Sequence, residues 1–217
     1  MSTTPGNAPA STSSLDRSTI GRRATGRAIL VSGVPASGKT SFGRELARSL
    51  GWALLDLDTV TNPLFEYVGG EFLVDVPTAD APTRATVNDV RYQCLFDTAA
   101  EVMDVGTSVV VVAPFTSERT FPASWERMCE RLGVPAEDVT LAWVDTPAEE
   151  VVARMTNRGA DRDLDKIARP RVFLTPDVMK APGVPYLRVD GLLDVESQIR
   201  AFSAVYESTP ASSELAG

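Results

Sequence analysis

Residues 28–50 read AILVSGVPASGKTSFGRELARSL, in which an apolar run, a glycine-rich loop and an amphipathic segment follow one another without interruption. The loop fits the pattern G-x-x-x-x-G-K-[ST] at every fixed position, from Gly33 to Thr40. Between a strand and a helix, such a loop directs backbone N–H groups at phosphate, and the helix N-terminus adds partial positive charge. A plain glycine-rich turn is the structural alternative, but the strand and helix on either side favour a phosphate-binding loop.

This loop predicts the residues that hold a nucleotide and its metal ion. Lys39 is expected to bridge the β- and γ-phosphates, Thr40 to ligate Mg²⁺, and Ser41 to lie beside the α-phosphate. The predicted nucleotide-binding residues of the loop are Gly33, Ala36, Ser37, Gly38, Lys39, Thr40 and Ser41.

The composition of the 217 residues excludes several classes of chemistry. The chain has no histidine, which rules out Ser-His-Asp hydrolysis, histidine-rich zinc sites and phosphohistidine relays. Its 21 Lys and Arg against 29 Asp and Glu give a net charge of −8, which argues against nonspecific binding to nucleic acid or anionic membranes. The sequence shows neither a membrane span nor a signal-peptide pattern, so we expect a cytoplasmic protein. It does not indicate an oligomeric state.

The distribution of apolar residues predicts one domain between two polar tails. Residues 1–25 and 207–217 are rich in small and polar residues and are expected to be disordered. Residues 26–206 alternate apolar runs with helical patterns, which predicts β-α-β units. We therefore expect an α/β fold, a three-layer α/β/α sandwich with five parallel strands, at 28–32, 53–56, 108–113, 139–144 and 186–189. Helices are predicted at 39–50, 87–105, 124–132, 147–158 and 195–206.

The chain resembles the P-loop small-molecule kinases: shikimate and gluconate kinases, chloramphenicol phosphotransferase, and the zeta-toxin-like and AAA_33-type kinases. The resemblance covers most of residues 27–206, and its strongest part is the loop GVPASGKT. It implies the P-loop NTPase fold, with ATP and Mg²⁺ as cofactors. It further implies transfer of the γ-phosphate of ATP to a hydroxyl of a small molecule, such as an antibiotic, a sugar or a natural-product intermediate.

Two aspartates follow the second predicted strand, in the run Leu55-Asp56-Leu57-Asp58. Because open α/β sheets bind ligands at the carboxyl ends of their strands, both carboxylates are expected near the phosphate loop. The resemblance implies that Asp56 lies on the metal side and that Asp58 is the base that meets the acceptor hydroxyl. The alternative is that these aspartates only cap the following turn.

The third predicted strand ends in Ala113-Pro114-Phe115, where motor-type ATPases carry a Walker B acid. The metal is therefore expected to depend on Thr40 and Asp56, and Asp145 is a weaker candidate ligand.

The long segment 57–107 lies where the similar kinases bind their acceptor. Arg91 and Tyr92 open a stretch similar to AAA_33-type kinases, in which an Arg and a Tyr face the acceptor. Arg84 and Arg119 are further candidates, because a guanidinium fork binds carboxylate or phosphate. An amphipathic helix with Tyr92 in the core and Arg91 in solvent is an equal alternative.

The segment 154–170 is predicted to be a lid. Arg154 and Arg158 share one helix face, and Arg162 follows Gly159. Like charges at this spacing repel, which indicates an anion between them. The similar kinases carry an R-x-x-x-R lid over ATP, so Arg154 and Arg158 are expected to contact the nucleotide, with Arg158 and Arg162 neutralising the transferred phosphoryl group. An exposed, charged helix end is the alternative.

Two other functions stay open at this point. A nucleotide-binding regulatory protein or ATPase would bind ATP or GTP without phosphotransfer, although the sequence has no guanine-specific Asn/Thr-Lys-x-Asp motif. A zeta-toxin-like kinase would phosphorylate a nucleotide sugar. The expected partner is a small hydroxylated acceptor and not nucleic acid or a membrane.

Overall fold

The computed structural model describes residues 26–67, 84–159 and 167–208 of the chain. Its centre is one sheet in which every paired neighbour is parallel. The strand order is β2-β3-β1-β4-β5. The strands are β1 at Ala28–Ser32, β2 at Ala53–Asp56, β3 at Val109–Val112, β4 at Val139–Asp145 and β5 at Leu187–Asp190.

Helices connect consecutive strands and cover both faces of the sheet. Those of the described residues are α1 at Lys39–Leu50, α2 at Leu57–Tyr67, α3 at Arg84–Asp104, α4 at Thr116–Thr120, α5 at Pro122–Leu132, α6 at Ala148–Arg158, α7 at Pro170–Phe173, α8 at Pro176–Met179 and α9 at Val195–Ser208. A short 3₁₀ turn at Ala136–Asp138 precedes β4.

Alternate residues of the strands point to opposite faces, and the two largest core clusters lie on opposite faces of the sheet. On one face Leu30 packs with Leu95 of α3 and Trp125 of α5. On the other face Ile29 packs with Phe42 of α1 and Phe202 of α9. The three layers predicted from the sequence are therefore confirmed.

The predicted bounds of β1, β2 and α1 match the structure, and the other predicted strands differ by one residue at one or both ends. Gly51, Gly133 and Gly159 end α1, α5 and α6 with positive φ angles of 67°, 70° and 58°, the left-handed conformation that favours glycine. The short helices α4, α7 and α8 were not predicted, and neither was α2.

Both predicted tails fall largely outside the described residues. The segment 1–25 lies outside them, as does 209–217, whereas α9 continues through Glu207 and Ser208, which were assigned to the tail. Among the described residues, no helix is both long enough and apolar enough to cross a bilayer.

Strand β1 lies between β3 and β4. Strands β2 and β3 lie on one side of it, and β4 and β5 lie on the other side. In open parallel sheets a crevice forms at this position, outside the carboxyl ends of the strands. The loops after β1, β2 and β3 therefore meet at one edge of the sheet.

Candidate functional site

The glycine-rich loop joins β1 to α1 and is shaped by two conformations that most residues avoid. Gly38 has a φ of 100° and Ala36 a φ of 60°. At Gly33 an added Cβ would lie 2.4 Å from Ser37 Oγ, so a larger residue would collide with the loop itself. Because Gly38 has no side chain to cap α1, the first-turn N–H groups stay available to an anion.

Ser37 is fully buried in this loop and links it to the neighbouring strand and helix. Its carbonyl oxygen accepts hydrogen bonds from Thr146 Oγ1 at 2.9 Å and from Arg154 Nη1 at 3.0 Å. Its own hydroxyl has no hydrogen-bond partner among the described residues. Lys39 Nζ lies 3.4 Å from the carbonyl oxygen of Val34, within the same loop. Thr146 and Arg154 thus fix the loop through its backbone at Ser37. The Lys39 amino group and the Ser37 hydroxyl can then contact a ligand.

Asp56 joins the phosphate loop to α2 through its two carboxylate oxygens. Oδ1 accepts the backbone N–H groups of Asp58 at 2.9 Å and Thr59 at 3.4 Å, which caps the start of α2. Oδ2 accepts the hydroxyl of Thr40 at 3.2 Å. Asp56 therefore caps α2, as the alternative interpretation expected, and it also lies beside Thr40, as the metal-site prediction expected.

This pair of oxygen donors fits Mg²⁺, which binds hydroxyl and carboxylate oxygens and completes its shell with water and phosphate. No group of three or more Asp, Glu, His or Cys side chains suited to a metal occurs among the described residues. Thr40 and Asp56 could therefore hold the ion only together with phosphate oxygens and water. Asp145, the weaker candidate ligand, is paired through its Oδ2 with Arg188 Nε at 2.8 Å.

Asp58 lies in the first turn of α2, and its carboxylate is paired with Arg91 of α3. Arg91 Nη2 donates to Asp58 Oδ1 and to Asn62 Oδ1, both at 2.7 Å. Arg91 Nε donates to the buried Thr61 hydroxyl at 2.9 Å. The Arg91 side chain is 13% exposed, whereas that of Asp58 is 59% exposed. Arg91 therefore fixes the orientation of a carboxylate that remains open to solvent.

Tyr92, the neighbour of Arg91, packs inside an aromatic cluster. Its ring centroid lies 5.8 Å from that of Phe96 and 6.0 Å from that of Phe115. Its hydroxyl accepts the backbone N–H of Phe115 at 2.9 Å. Burial, and next the negative charge of Glu118, raise the pKa of Tyr92. This arrangement corresponds to the core alternative for Tyr92, since its hydroxyl already supports the turn after β3.

The structure gives Arg119 a role different from the predicted contact with an acceptor. It is 3% exposed, and its guanidinium donates to the carbonyl oxygens of Val178 at 2.7 Å and Lys180 at 2.6 Å. The guanidinium also lies over the ring of Trp143, 4.4 Å from its centroid. Burial lowers the pKa of Arg119. These contacts tie α4 to the segment around α8.

Arg154 of the predicted lid contacts the backbone of the loop. Besides its bond to Ser37, it donates to the carbonyl oxygen of Gly191 at 2.7 Å and pairs with Glu150 at 2.7 Å. Arg158 is exposed at the last position of α6. Arg162 lies outside the described residues, and Arg84 is the first residue of α3.

A family comparison covers most of these residues. The chain matches the AAA_33 family, described as an AAA domain, over residues 29–173. The chain belongs to the AAA_33 family. The AAA_33 match includes the phosphate loop, both aspartates and α6, and it ends before β5. No curated protein matches the chain.

Solved structures share this AAA_33 chain's fold. A sugar kinase from a Janibacter species is 19% identical, with a TM-score of 0.60, over 86% of this chain and 97% of that chain. A putative kinase from Chloroflexus aurantiacus is 18% identical, with a TM-score of 0.58, over 86% and 98%. The APS kinase of Mycobacterium tuberculosis, solved with AMPPNP and APS, is 18% identical, with a TM-score of 0.52, over 85% and 99%. The P-loop kinase fold expected from the sequence is confirmed.

Sequence reasoning missed several residues of this AAA_33 site. Thr61 stands three positions after Asp58, the spacing of one helix face, but Pro63 obscured α2. Thr146 follows directly after β4, a position at the same sheet edge as the loop. Glu118 had no signal in the sequence, because its burial depends on the packing of α4.

Proposed function

We propose that this AAA_33 protein is a Mg²⁺-dependent kinase that transfers the γ-phosphate of ATP to a hydroxyl of a small molecule. The observation that carries this proposal is the continuous link from the phosphate loop to an open carboxylate: Thr40 bonds to Asp56, Asp56 caps α2, and Asp58 stands in its first turn. This link supports Asp58 as a candidate base close to the phosphate loop. The kinases that share the fold support the proposal.

The phosphate loop would bind the triphosphate through its backbone N–H groups and Lys39, which favour the negative charge that builds up during transfer. Mg²⁺ held by Thr40 and Asp56 would supply charge neutralisation at the phosphate oxygens. Arg158, and Arg162 beyond it, would add positive charge from the lid. Arg154 would act differently, by keeping the loop in place through Ser37.

Asp58 would bind the acceptor hydroxyl and take its proton. One oxygen of its carboxylate is held by Arg91, which leaves Oδ2 for the acceptor. As the acceptor oxygen bonds to the γ-phosphorus, the bond from that phosphorus to the β–γ bridging oxygen breaks and ADP leaves. The proton passes from the acceptor hydroxyl to Asp58.

The test is mass spectrometry of a panel of sugars, nucleosides, polyols, hydroxy acids and antibiotics incubated with the protein and Mg·ATP. We expect one class of compounds to gain a phosphoryl group with the intact protein and not with Lys39→Ala. Asp58→Asn should remove transfer and retain nucleotide binding. Tight ATP binding with no transfer to any compound would instead favour a nucleotide-binding regulatory protein.

A further inference from the structure

Arg154 contacts two loops at the carboxyl edge of the sheet at the same time. Its Nη1 donates to the carbonyl oxygen of Ser37 in the phosphate loop at 3.0 Å. Its Nη2 donates to the carbonyl oxygen of Gly191, the first residue after β5, at 2.7 Å. Its Nε pairs with Glu150 one turn earlier on α6, which orients the guanidinium. One planar group therefore sets the distance between the phosphate loop and the loop after β5.

The loop after β5 is also fixed by contacts outside the phosphate loop. The backbone N–H of Gly191 donates to the carbonyl oxygen of Asp145, the last residue of β4, at 2.8 Å. Gln198, which is buried in α9, donates through Nε2 to the carbonyl oxygens of Asp190 at 3.1 Å and Leu193 at 3.0 Å. The backbone of this loop is therefore fixed from both sides.

Two large apolar side chains of the same loop are open to solvent. Leu192 is 59% exposed and Leu193 is 42% exposed. Because they stand on a fixed backbone, the apolar surface that they form has a defined position. An apolar surface at the ligand-binding edge of a parallel sheet can pack against the flat face of a nucleotide base.

We propose that Arg154 is a positioning residue that holds the loop after β5 at the distance from the phosphate loop at which one nucleotide contacts both. This inference rests on the proposed kinase function and extends the role of Arg154 beyond its bond to Ser37. Transfer to an acceptor at Asp58 requires the γ-phosphate on the side of β2, because Asp58 follows that strand. The nucleoside then extends toward the other half of the sheet, where β4 and β5 end.

This role separates two ligands that share the same pair of phosphates. ADP would contact both loops, whereas inorganic pyrophosphate would contact only the phosphate loop. Without Arg154, the phosphate loop keeps its second support, the bond of 2.9 Å from Thr146 Oγ1 to the carbonyl oxygen of Ser37. Loss of Arg154 therefore removes the preorganised spacing that ADP needs and leaves the site for pyrophosphate in place.

The experiment measures the Kd of ADP and of pyrophosphate, each with Mg²⁺, by isothermal titration calorimetry on the full chain and its variants. Arg154→Met removes every donor, whereas Arg154→Lys keeps the charge and replaces the planar fork by a single ammonium group. The matched control is Arg200→Met, which breaks another pair at i,i+4 spacing, with Glu196 on the exposed face of α9.

We expect the Kd of ADP to rise at least about tenfold in both Arg154 variants, with the Kd of pyrophosphate changed by less than about threefold. Arg200→Met should change neither value. Equal losses for the two ligands in Arg154→Met would overturn the positioning role. Recovery of both affinities in Arg154→Lys would then assign the charge to direct contact with the phosphates.

Gln198→Met tests the loop after β5 without a change in any contact of the phosphate loop. It removes the donors to Asp190 and Leu193, so the Kd of ADP should rise at least about threefold while that of pyrophosphate stays the same. Unchanged ADP binding in the variants of either residue would overturn the inference while the kinase proposal stands. If the original chain binds neither ligand, the kinase proposal fails and the inference fails with it.

Discussion

The guanidinium of Arg91 connects the candidate base to the surface of α3. It holds Asp58 together with Thr61 and Asn62, all on α2, so it defines both the position of the helix and the direction of one carboxylate. A residue with these contacts acts through Asp58 and positions it. Its loss should therefore slow the chemical step more than it weakens acceptor binding.

Arg91→Lys keeps the positive charge and loses the planar fork. We expect kcat to fall by roughly 10- to 100-fold with KM changed by less than about threefold, because the carboxylate loses its fixed orientation. Steady-state kinetics with the identified acceptor measures the split. The matched control is Arg131→Lys, which alters a similar Arg–Asp pair with Asp97, 2.8 Å long and outside the candidate site. A rise in KM with kcat unchanged would show that Arg91 binds the acceptor directly.

Glu118 predicts a pH-dependent change in stability. Burial is the main cause that raises the pKa of its carboxyl in the folded protein, so the charged form is disfavoured there. The stability contributed by the protonated form is present below the unfolded pKa of about 4.3 and is lost as the pH rises through the folded pKa.

Glu118→Gln should therefore raise the free energy of unfolding at pH 7 to 8 and change it little near pH 4. Urea denaturation at a series of pH values provides the measurement, with Glu101→Gln on the exposed surface of α3 as the control. A gain that is the same at every pH would mean that packing of the new side chain is the cause.

Local sequence signals were sufficient for β1, the loop and α1, because the apolar run, the two loop glycines and Gly51 all indicate the same boundaries. They were insufficient for α2, since Pro63 stands inside that helix. The roles of Arg91 and Arg119 could not be read from the sequence. Their partners lie about 30 and about 60 positions away along the chain, and only the packed fold brings them together.

Helix α4 is short, and it is joined to the segment around α8 by the Arg119 side chain and by a backbone hydrogen bond of 2.8 Å from Gly183 N–H to the carbonyl oxygen of Arg119. Arg119→Leu retains apolar contact with Trp143 and removes the donors to Val178 and Lys180. We expect the free energy of unfolding to fall by about 2 to 4 kcal/mol, since backbone carbonyls lose a charged partner. Urea denaturation would measure this change.

The control for this variant is Arg200→Leu on α9, which breaks an exposed pair with Glu196 and should cost less than about 1 kcal/mol. Equal, small losses in both variants would show that the contacts of Arg119 add little stability. A loss confined to Arg119 would confirm that α4 and the α8 segment behave as one unit.

At the scale of the whole molecule, the sheet order separates the contacts that fix the phosphate loop from the segment that carries the candidate base. The loops after β1 and β4 meet at Ser37, where Thr146 and Arg154 converge on the phosphate loop. The segment after β2 carries the open Asp58. The five parallel strands were predicted, but their order was not, because pairing between strands distant in sequence leaves no local signal.

Nucleotide binding should stabilise the entire fold, because the loop that would hold the nucleotide joins the central strand β1 to α1. At a ligand concentration about 100 times Kd, the free energy of unfolding rises by about 2.7 kcal/mol, which corresponds to a Tm increase of about 5 to 10 °C for a chain of this size. We expect ADP with Mg²⁺ to give a larger increase than ADP with a chelator, because Thr40 and Asp56 supply oxygen ligands beside the phosphates.

Asp56→Asn separates the metal's contribution from the helix cap. Asparagine caps a helix about as well as aspartate, so the Tm without ligand should stay within a few degrees of the original. The extra increase that Mg²⁺ adds to ADP should disappear, since the carboxylate charge is gone, while the increase with ADP alone remains. Differential scanning calorimetry of both proteins without ligand, with ADP and Mg²⁺, and with ADP and a chelator measures these six Tm values. An undiminished effect of Mg²⁺ in this variant would mean that the ion is held without Asp56.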